Sequence, residues 1–176
     1  LSLEGKISNY YNSYMDTETL DEKGITPLVP SLARISEVAT TQALTQVFGR
    51  SQRDGTASPL SFYVGADRSD PDQHQLVLSI GGLGLPDRDY YLLDTDEYKD
   101  TRSEYVAHIE RMLGFADVAN ADAKAAAVLS LETKLAELIW PRSQRRDRDL
   151  TYNPMTYLDC VGEYPGLDWD AYFSAA

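Results

Sequence analysis

The apolar positions in the first third of the chain recur at helical spacing over short stretches. Ile7, Tyr11 and Tyr14 are four and three residues apart, as on one face of a helix with 3.6 residues per turn. A further helix is predicted from about Thr41 to Phe48, with Gly49 as its stop signal. The pattern therefore predicts several short helices in this part of the chain.

The pattern changes in the next part of the chain. Residues 60–64 and 75–80 are rich in aromatic, aliphatic and β-branched side chains, and the segment between them is rich in Gly, Asp, Ser and Pro. This arrangement is typical of two strands joined by a turn. We therefore predict one β-hairpin, at about residues 60–80, with a long acidic loop. Because two strands alone are marginally stable in water, the hairpin must pack against helices.

Two longer helices are predicted after the hairpin. Asp94 and Glu97 have the spacing of a capping box at the start of the first. The second begins at Asn120 or Asp122 and ends before Pro141. The predicted apolar stripes are Tyr98, Tyr105, Ile109 and Met112 in the first helix, and Val128, Leu131, Leu135 and Leu138 in the second. The predicted fold class is mainly α with one β-hairpin, and residues 1–176 are predicted to form a single unit.

The charge of the chain argues against two classes of partner. Lys and Arg number 16 against 28 Asp and Glu, a formal net charge of −12. Such a surface repels phosphate backbones and anionic lipids, so we expect no nucleic-acid partner. No apolar run reaches the ~20 residues of a membrane span, and the N-terminal residues lack the cationic and apolar stretches of a signal peptide. We therefore expect no membrane segment in this chain.

The scarcity of histidine and cysteine restricts the metal chemistry. His74 and His108 are the only two histidines, and Cys160 is the only cysteine. An HExxH zinc helix needs two histidines four residues apart, which is impossible here. A single cysteine forms no internal disulfide, and a buried, structural role is the commoner use of a lone cysteine. A Cys160–His dyad stays open as an alternative. We predict no metal, no cofactor and no catalytic residue in this chain.

Residues 81–91, GGLGLPDRDYY, form the most unusual stretch of the sequence. A dinucleotide-binding loop would need G-x-G-x-x-G after a strand, but Asp87 stands at the place of the last glycine. A carboxylate there would repel a pyrophosphate. The preferred interpretation is a tight exit from the hairpin, in which the glycines supply positive φ and Pro86 sets the next turn.

Two clusters of charge admit both a binding and a structural interpretation. Asp67, Asp70 and Asp72 could suggest calcium, but the spacing is not that of an EF-hand, and a solvated hairpin loop is preferred. The only basic concentration comprises Arg142, Arg145, Arg146 and Arg148, interleaved with Asp147 and Asp149. It could clamp a carboxylate, or it could form ion pairs near a helix end. For Arg146 and Asp147 we predict a structural ion pair.

Three stretches carry a family resemblance. They are YYNSYMD at residues 10–16 followed by GITPL at 24–28, GLGLPDRDYYL at 82–92, and LETKLA at 131–136 followed by Trp140, Arg146-Asp147 and YNPM at 152–155. In this order the sequence resembles the N-terminal region of the neprilysin and endothelin-converting-enzyme family of zinc metalloendopeptidases, from about Tyr10 to Trp169. The motif residues are Gly82, Gly84, Pro86, Asp87, Arg88, Tyr90, Tyr91, Arg146, Asp147, Tyr152 and Asn153.

The resemblance implies a part of a longer peptidase. Members have a helical N-terminal domain that caps a C-terminal zinc domain, and the cap admits only short peptides to the cleft. The expected partners are therefore the C-terminal zinc domain of the same polypeptide and peptide substrates, with zinc as the cofactor of the parent enzyme only. Arg142 and Arg145 are the candidates for facing the cleft, as members of the only cationic cluster. The alternative is a stand-alone, non-catalytic helical binding module.

One departure from the family concerns the compartment. Animal members of the resembled family commonly have cysteine where Tyr14 stands, and Cys160 has no partner here. This pattern resembles bacterial members, which lack those disulfides. It leaves open both a cytoplasmic and an extracytoplasmic location.

Overall fold

The computed structural model describes residues 2–176, which divide into two compact units at the junction of Glu37 and Val38. The first unit contains α1 (Leu3–Met15), α2 (Thr17–Lys23), a 3₁₀ turn (Thr26–Leu28) and α3 (Val29–Ser36). The second contains α4 (Thr41–Asp54), β1 (Leu60–Ala66), β2 (His74–Ile80), α5 (Asp89–Leu92), α6 (Asp96–Phe115), α7 (Ala121–Leu138), α8 (Arg142–Arg145), α9 (Tyr157–Glu163) and α10 (Trp169–Ala175). The predicted fold class, mainly helical with one hairpin, is confirmed. The prediction of a single unit as part of an N-terminal helical domain stays a prediction.

The helices of the first unit are held by local caps. The Ser2 hydroxyl accepts the Gly5 N–H at 3.2 Å, and the Asp16 carboxylate accepts the Thr19 N–H at 3.0 Å. Each satisfies a backbone donor that the first turn of a helix leaves free. The predicted stripe of α1 forms on one helix, but Ile7 and Tyr14 lie exposed. The helix is thus encoded by its sequence pattern, while its apolar face stays uncovered in this unit.

The hairpin is an antiparallel pair whose register matches Leu60 with Ile80 and Val64 with Leu76. Its outer edge on the β1 side is held by α4, through the side-chain amide of Gln52. That amide accepts the Phe62 N–H at 3.2 Å and donates to the Phe62 carbonyl at 2.9 Å. One side chain therefore takes the place of a neighbouring strand at this point and fixes the hairpin to the helix.

The core of the second unit forms where α4, α9, α10 and the hairpin meet. Cys160, Trp169 and Tyr172 are buried, and Phe48, Phe62, Leu60, Leu78, Leu167 and Phe173 pack around them. The Phe62 ring meets the Tyr172 ring edge-on with 6.0 Å between centroids, a preferred aromatic geometry. This packing supplies the helical support that two strands need.

Two helix boundaries differ from the sequence predictions. Helix α4 continues through Gly49 to Asp54 and ends at Gly55, whose φ is +68°. Gly49 is not a stop signal, because it lies where α4 crosses α10 and a Cβ there would overlap the Tyr172 carbonyl. Helix α6 is capped by Thr95 instead of Asp94, since the Thr95 hydroxyl accepts the Tyr98 N–H at 3.4 Å.

Asp94 is the residue that the capping prediction placed wrongly. Its carboxylate lies 3.3 Å from Lys99 Nζ and 3.7 Å from Arg102 Nη2. These contacts use the carboxylate that a capping role would need, and Thr95 takes that role.

The apolar stripe of α7 also differs from its prediction. Leu131 and Leu138 of the predicted stripe lie exposed, while Ala125 and Ala136 are buried. The buried face of α7 is therefore lined by small side chains.

Candidate functional site

The GLGLPDRDYY segment forms a tight turn between β2 and the helices, as the preferred interpretation predicts. Gly82 has a φ of +87°, and a Cβ there would lie 2.9 Å from Pro59 Cα. Gly84 packs so closely on the Tyr105 hydroxyl that a Cβ would overlap it. Both glycines are therefore used for backbone approach and positive φ. Neither lies in a phosphate loop.

A partly buried polar cluster attaches this turn to α6 and α7. The Tyr91 hydroxyl donates to Glu132 Oε2 at 2.6 Å, and the Tyr105 hydroxyl lies 3.0 Å from both Glu132 oxygens. The Tyr91 oxygen also accepts the Leu85 N–H at 2.8 Å. One carboxylate thus joins the turn, α5, α6 and α7 in a single connected network.

The electrostatics of the cluster favour neutral tyrosines. Burial raises the pKa of Tyr105 to about 12, and the adjoining Glu132 carboxylate adds to that increase. Burial and the Glu132 hydrogen bond raise the pKa of Tyr91 further still. Both phenols therefore stay protonated donors over the physiological range. They hold the carboxylate in place and are unsuited to act as bases there.

Two arginines complete the attachment of the segment. Arg88 Nε donates to the Ala136 carbonyl at 3.3 Å. Arg102 Nη1 donates to the Tyr90 and Leu93 carbonyls at 2.7 Å and 2.9 Å. These bonds satisfy carbonyls near the ends of α7 and α5 that intrahelical bonding leaves free.

Asp87 joins the GLGLPDRDYY segment to the basic segment that follows α7. Its carboxylate is 9% exposed, and its Oδ2 accepts a hydrogen bond from Arg145 Nη2, with Arg142 Nη2 at 3.6 Å. Burial acts to raise the pKa of Asp87, but the hydrogen bond and charge of Arg145 outweigh it and hold the pKa below its usual value. Its other oxygen, Oδ1, is buried with no hydrogen-bond partner among residues 2–176.

The ion pair of the basic segment lies elsewhere than predicted. The sequence placed it at Arg146 and Asp147, but within the described part of the chain the pairs join Arg142 and Arg145 to Asp87. The Asp147 carboxylate instead accepts the N–H groups of Asp149 and Leu150, at 3.0 Å and 3.1 Å. Aspartate often closes turns in this way, and the carboxylate is therefore used for the local backbone.

The acidic loop of the hairpin contacts the turn that follows α8. Asp67 Oδ1 accepts the Ser69 N–H at 2.8 Å and the Tyr152 hydroxyl at 2.8 Å. Arg68 Nη1 donates to the Thr151 hydroxyl at 2.9 Å. The Asn153 side chain donates to the Leu150 carbonyl at 3.0 Å. Tyr152 and Asn153 of the YN motif therefore hold a loop junction.

A cavity of about 590 Å³ opens beside the segment. It is lined by Leu78, Ser79, Ile80, Gly81, Gly82, Leu83, Leu85, Pro86, Asp87, Arg88, Leu138, Ile139, Trp140, Arg145, Thr151 and Asn153. Arg145 is among them. This cavity is open to solvent, and its lining mixes apolar side chains with Asp87, Arg88, Arg145 and several hydroxyl and amide groups.

Sequence reasoning missed two members of the polar cluster. Glu132 lies between Leu131 and Leu135 of a predicted apolar stripe. A carboxylate on a buried helix face needs hydrogen-bond donors, so its position indicates a polar partner. Tyr105 was assigned to packing alone, although its hydroxyl contacts Glu132. Neither partner could be identified from spacing, because the contacts join three separate elements.

Cys160 lies in the core, and the alternative of a catalytic Cys160–His dyad therefore has no structural support. Burial raises the pKa of its thiol, whereas a catalytic cysteine needs a lowered pKa and access to solvent.

The buried position of Cys160 predicts slow alkylation. We expect iodoacetamide to alkylate the folded chain at least about tenfold more slowly than the urea-unfolded chain, as followed by mass spectrometry. Equal rates in both states would contradict the buried position.

Comparison with known proteins decides the family. The N-terminal model of peptidase family M13 matches residues 2–176. The chain belongs to peptidase family M13. The M13 relatives include an endothelin-converting enzyme homolog of Locusta migratoria, which is 30% identical over 98% of this chain and 25% of that protein. Human endothelin-converting enzyme 1 is 28% identical over 94% of this chain and 23% of that protein.

Solved structures give the same result for the fold. The inhibitor complex of the Mycobacterium tuberculosis zinc metalloprotease Zmp1 superposes with a TM-score of 0.87 at 32% identity, over 94% of this chain and 25% of that one. The open state of Zmp1 gives a TM-score of 0.83, also at 32% identity. This M13 chain thus spans about a quarter of the length of the relatives it matches.

The M13 assignment agrees with where the motifs lie in the structure. Asp87 of the GLGLPDRDYY motif and Asn153 of the YN motif both line the cavity, and Asp87 also bonds Arg145, which lies between Trp140 and the YN motif. Within residues 2–176, no group of three His, Cys, Asp or Glu side chains is arranged to hold a metal ion. None of the helices in that range combines the length and apolar composition that a membrane crossing needs.

Proposed function

We propose that this chain is the N-terminal helical cap of a longer zinc metalloendopeptidase that hydrolyses short peptides. The observation that carries the proposal is the family match along residues 2–176, together with relatives named as endothelin-converting enzymes and a zinc metalloprotease. Those relatives are about four times as long as the chain. The described residues contribute shape and packing surface, and the zinc-dependent step belongs to the rest of the protein.

The described residues, 2–176, form no zinc site of their own. His74 lies in β2 and His108 in α6, and neither belongs to a group of three potential ligands among residues 2–176. A catalytic zinc site needs three protein ligands around an open position. We therefore propose that the zinc ligands belong to the remainder of the polypeptide.

The exposed apolar side chains support a role as part of a larger assembly. On the second unit these include Tyr63, Val64, Ile80, Leu131, Leu138 and Leu158. Single exposed apolar residues are ordinary, but so many large ones on one unit are expected where another domain covers part of the surface. A cap that packs on a second domain of its own polypeptide requires such a surface.

The decisive experiment compares the full-length protein with the 176-residue chain. We expect the full-length protein to carry stoichiometric zinc and to cleave short peptides, to lose that activity with a chelator and to recover it when zinc is restored. The isolated chain should do neither. Peptide cleavage by the isolated chain would contradict the proposal, and a natural gene that encodes no further domain would favour the stand-alone binding module.

We propose Arg142 and Arg145 for the side of the cap that faces the cleft. Arg142 stays 66% exposed beside Asp87, so its charge is accessible to an anionic group of a peptide. Replacing both arginines by alanine in the full-length enzyme should raise KM for peptides with a free carboxylate more than for amidated ones. An unchanged KM for both peptides would exclude this role.

A further inference from the structure

The backbone of β2 has one edge that its partner does not use. The Gly81 N–H donates to the Pro59 carbonyl and the Asp67 N–H to the Gln73 carbonyl, each at 2.9 Å. Bonded pairs alternate along an antiparallel ladder, so Val77 and Ser79 direct their backbone groups toward β1. The residues Leu76, Leu78 and Ile80 direct theirs away from it.

The outward backbone groups of β1 and β2 differ in whether they have hydrogen-bond partners. On β1 the outward groups of Phe62 are bonded by the Gln52 amide, which confirms the alternation from the opposite side. On β2 the outward N–H and C=O groups of Leu76, Leu78 and Ile80 have no hydrogen-bond partner in the described part of the chain. These groups recur at every second residue, the spacing of a strand that lacks its neighbour.

The open edge lies along the cavity of about 590 Å³. Leu78 and Ile80 line it together with the apolar side chains of Leu138, Ile139 and Trp140. Ile80 is 76% and Leu138 is 77% exposed. The site thus offers unpaired backbone groups and apolar side chains to one occupant.

A permanent cover fits this edge better than a transient one. An unprotected edge strand flanked by apolar side chains pairs readily with other chains and promotes aggregation, and natural proteins cover or block such edges. Of the outward positions here, none carries a charge or a proline. The edge is therefore unprotected by its own sequence, and its cover has to come from elsewhere.

We propose that the outer edge of β2 receives an extended segment from the remainder of the same polypeptide, which adds a third strand to the hairpin. The proposal rests on the proposed function, because it requires that the protein continues as its relatives do, with this chain about a quarter of their length. Strand addition supplies main-chain hydrogen bonds, and pockets for alternate side chains give specificity. The apolar side chains of Leu138 and Trp140 predict apolar residues on the inward face of that segment.

Single-amide hydrogen exchange of the full-length protein, without added peptide, tests the proposal. We expect the Leu78 and Ile80 amides to exchange at least about 100-fold more slowly than the Val64 amide, which points outward on the opposite edge. Equal rates at Ile80 and Val64 would overturn the proposal. Protection that depends on protein concentration would assign the edge to a second copy, and protection only on adding peptide would assign it to substrate; both results overturn it.

A matched pair of proline variants tests the same edge independently. Ile80→Pro removes an outward N–H from β2, and Val64→Pro removes one from the outer edge of β1, in each case at an exposed side chain. We expect Ile80→Pro to lower the thermal midpoint of the full-length protein, with Ile80→Ala in between and Val64→Pro near wild type. Equal losses in the two proline variants would count against the added strand. A full-length protein that fails to hydrolyse peptides would leave these results intact, because neither measurement depends on activity.

Discussion

Replacing Gly49 with alanine is expected to lower the free energy of unfolding by about 2–3 kcal/mol. Gly49 lies in the middle of α4, where that helix crosses α10. A Cβ at this position would overlap the Tyr172 carbonyl oxygen and also approach the Ala175 Cβ to 3.2 Å. The obstacle is backbone, so the two helices have to separate, and the core around Trp169 and Tyr172 loosens with them.

A second glycine provides the control. Gly162 lies in α9 with nothing within 4 Å of where its Cβ would be. Gly162→Ala is therefore expected to stabilise the chain by up to about 1 kcal/mol through helix propensity. Urea unfolding followed by tryptophan fluorescence measures both variants, because Trp169 lies in the affected core. A Gly49→Ala variant as stable as Gly162→Ala would show that the helices do not cross this closely.

Gly49 also shows why local sequence signals misplaced a helix end. Glycine after an apolar run is an ordinary stop signal, and the next few residues, Arg50 to Asp54, carry no apolar stripe that would contradict it. The reason for the glycine is a contact with Tyr172, more than a hundred residues later. Periodicity detected the helix and the hairpin, since both depend on neighbours in sequence. It could not detect a requirement imposed by α10.

In the candidate site, too, the local turn was predictable from the sequence and the contacts between distant elements were not. The turn chemistry of Gly82 and Pro86 was predictable from residue type, and the family resemblance marked Asp87, Tyr91 and Arg146 as motif residues. What the sequence could not supply was the pairing. Several arginines and two aspartates lie within eight positions of one another, so a local pair was the natural expectation. The carboxylate that Arg145 contacts belongs instead to the turn after the hairpin.

The Asp87 contact predicts unequal effects from two neighbouring arginines. Arg145→Met is expected to cost about 2–4 kcal/mol at neutral pH, because it leaves a buried carboxylate without its hydrogen-bonded partner. Arg142→Met should cost less than about 1 kcal/mol, since Arg142 is 66% exposed and its Nη2 stands 3.6 Å from the carboxylate. Methionine keeps most of the apolar stem in both variants, so the comparison isolates the guanidinium. Equal losses in the two variants would contradict the geometry at Asp87.

The loss of stability in Arg145→Met is expected to depend on pH in a definite direction. In the wild type the pKa of Asp87 is held below its usual value, mainly by Arg145 acting against burial. The resulting stability is present above the unfolded-state pKa of about 3.9 and is lost as the pH falls through the folded-state pKa. In Arg145→Met, burial acts without that opposition and favours the protonated acid. The difference in unfolding free energy between wild type and Arg145→Met should therefore be largest near neutral pH and shrink below about pH 4. Urea titrations of both proteins across this range measure it, and a difference that stays constant would show that the lost stability does not come from the Asp87 carboxylate.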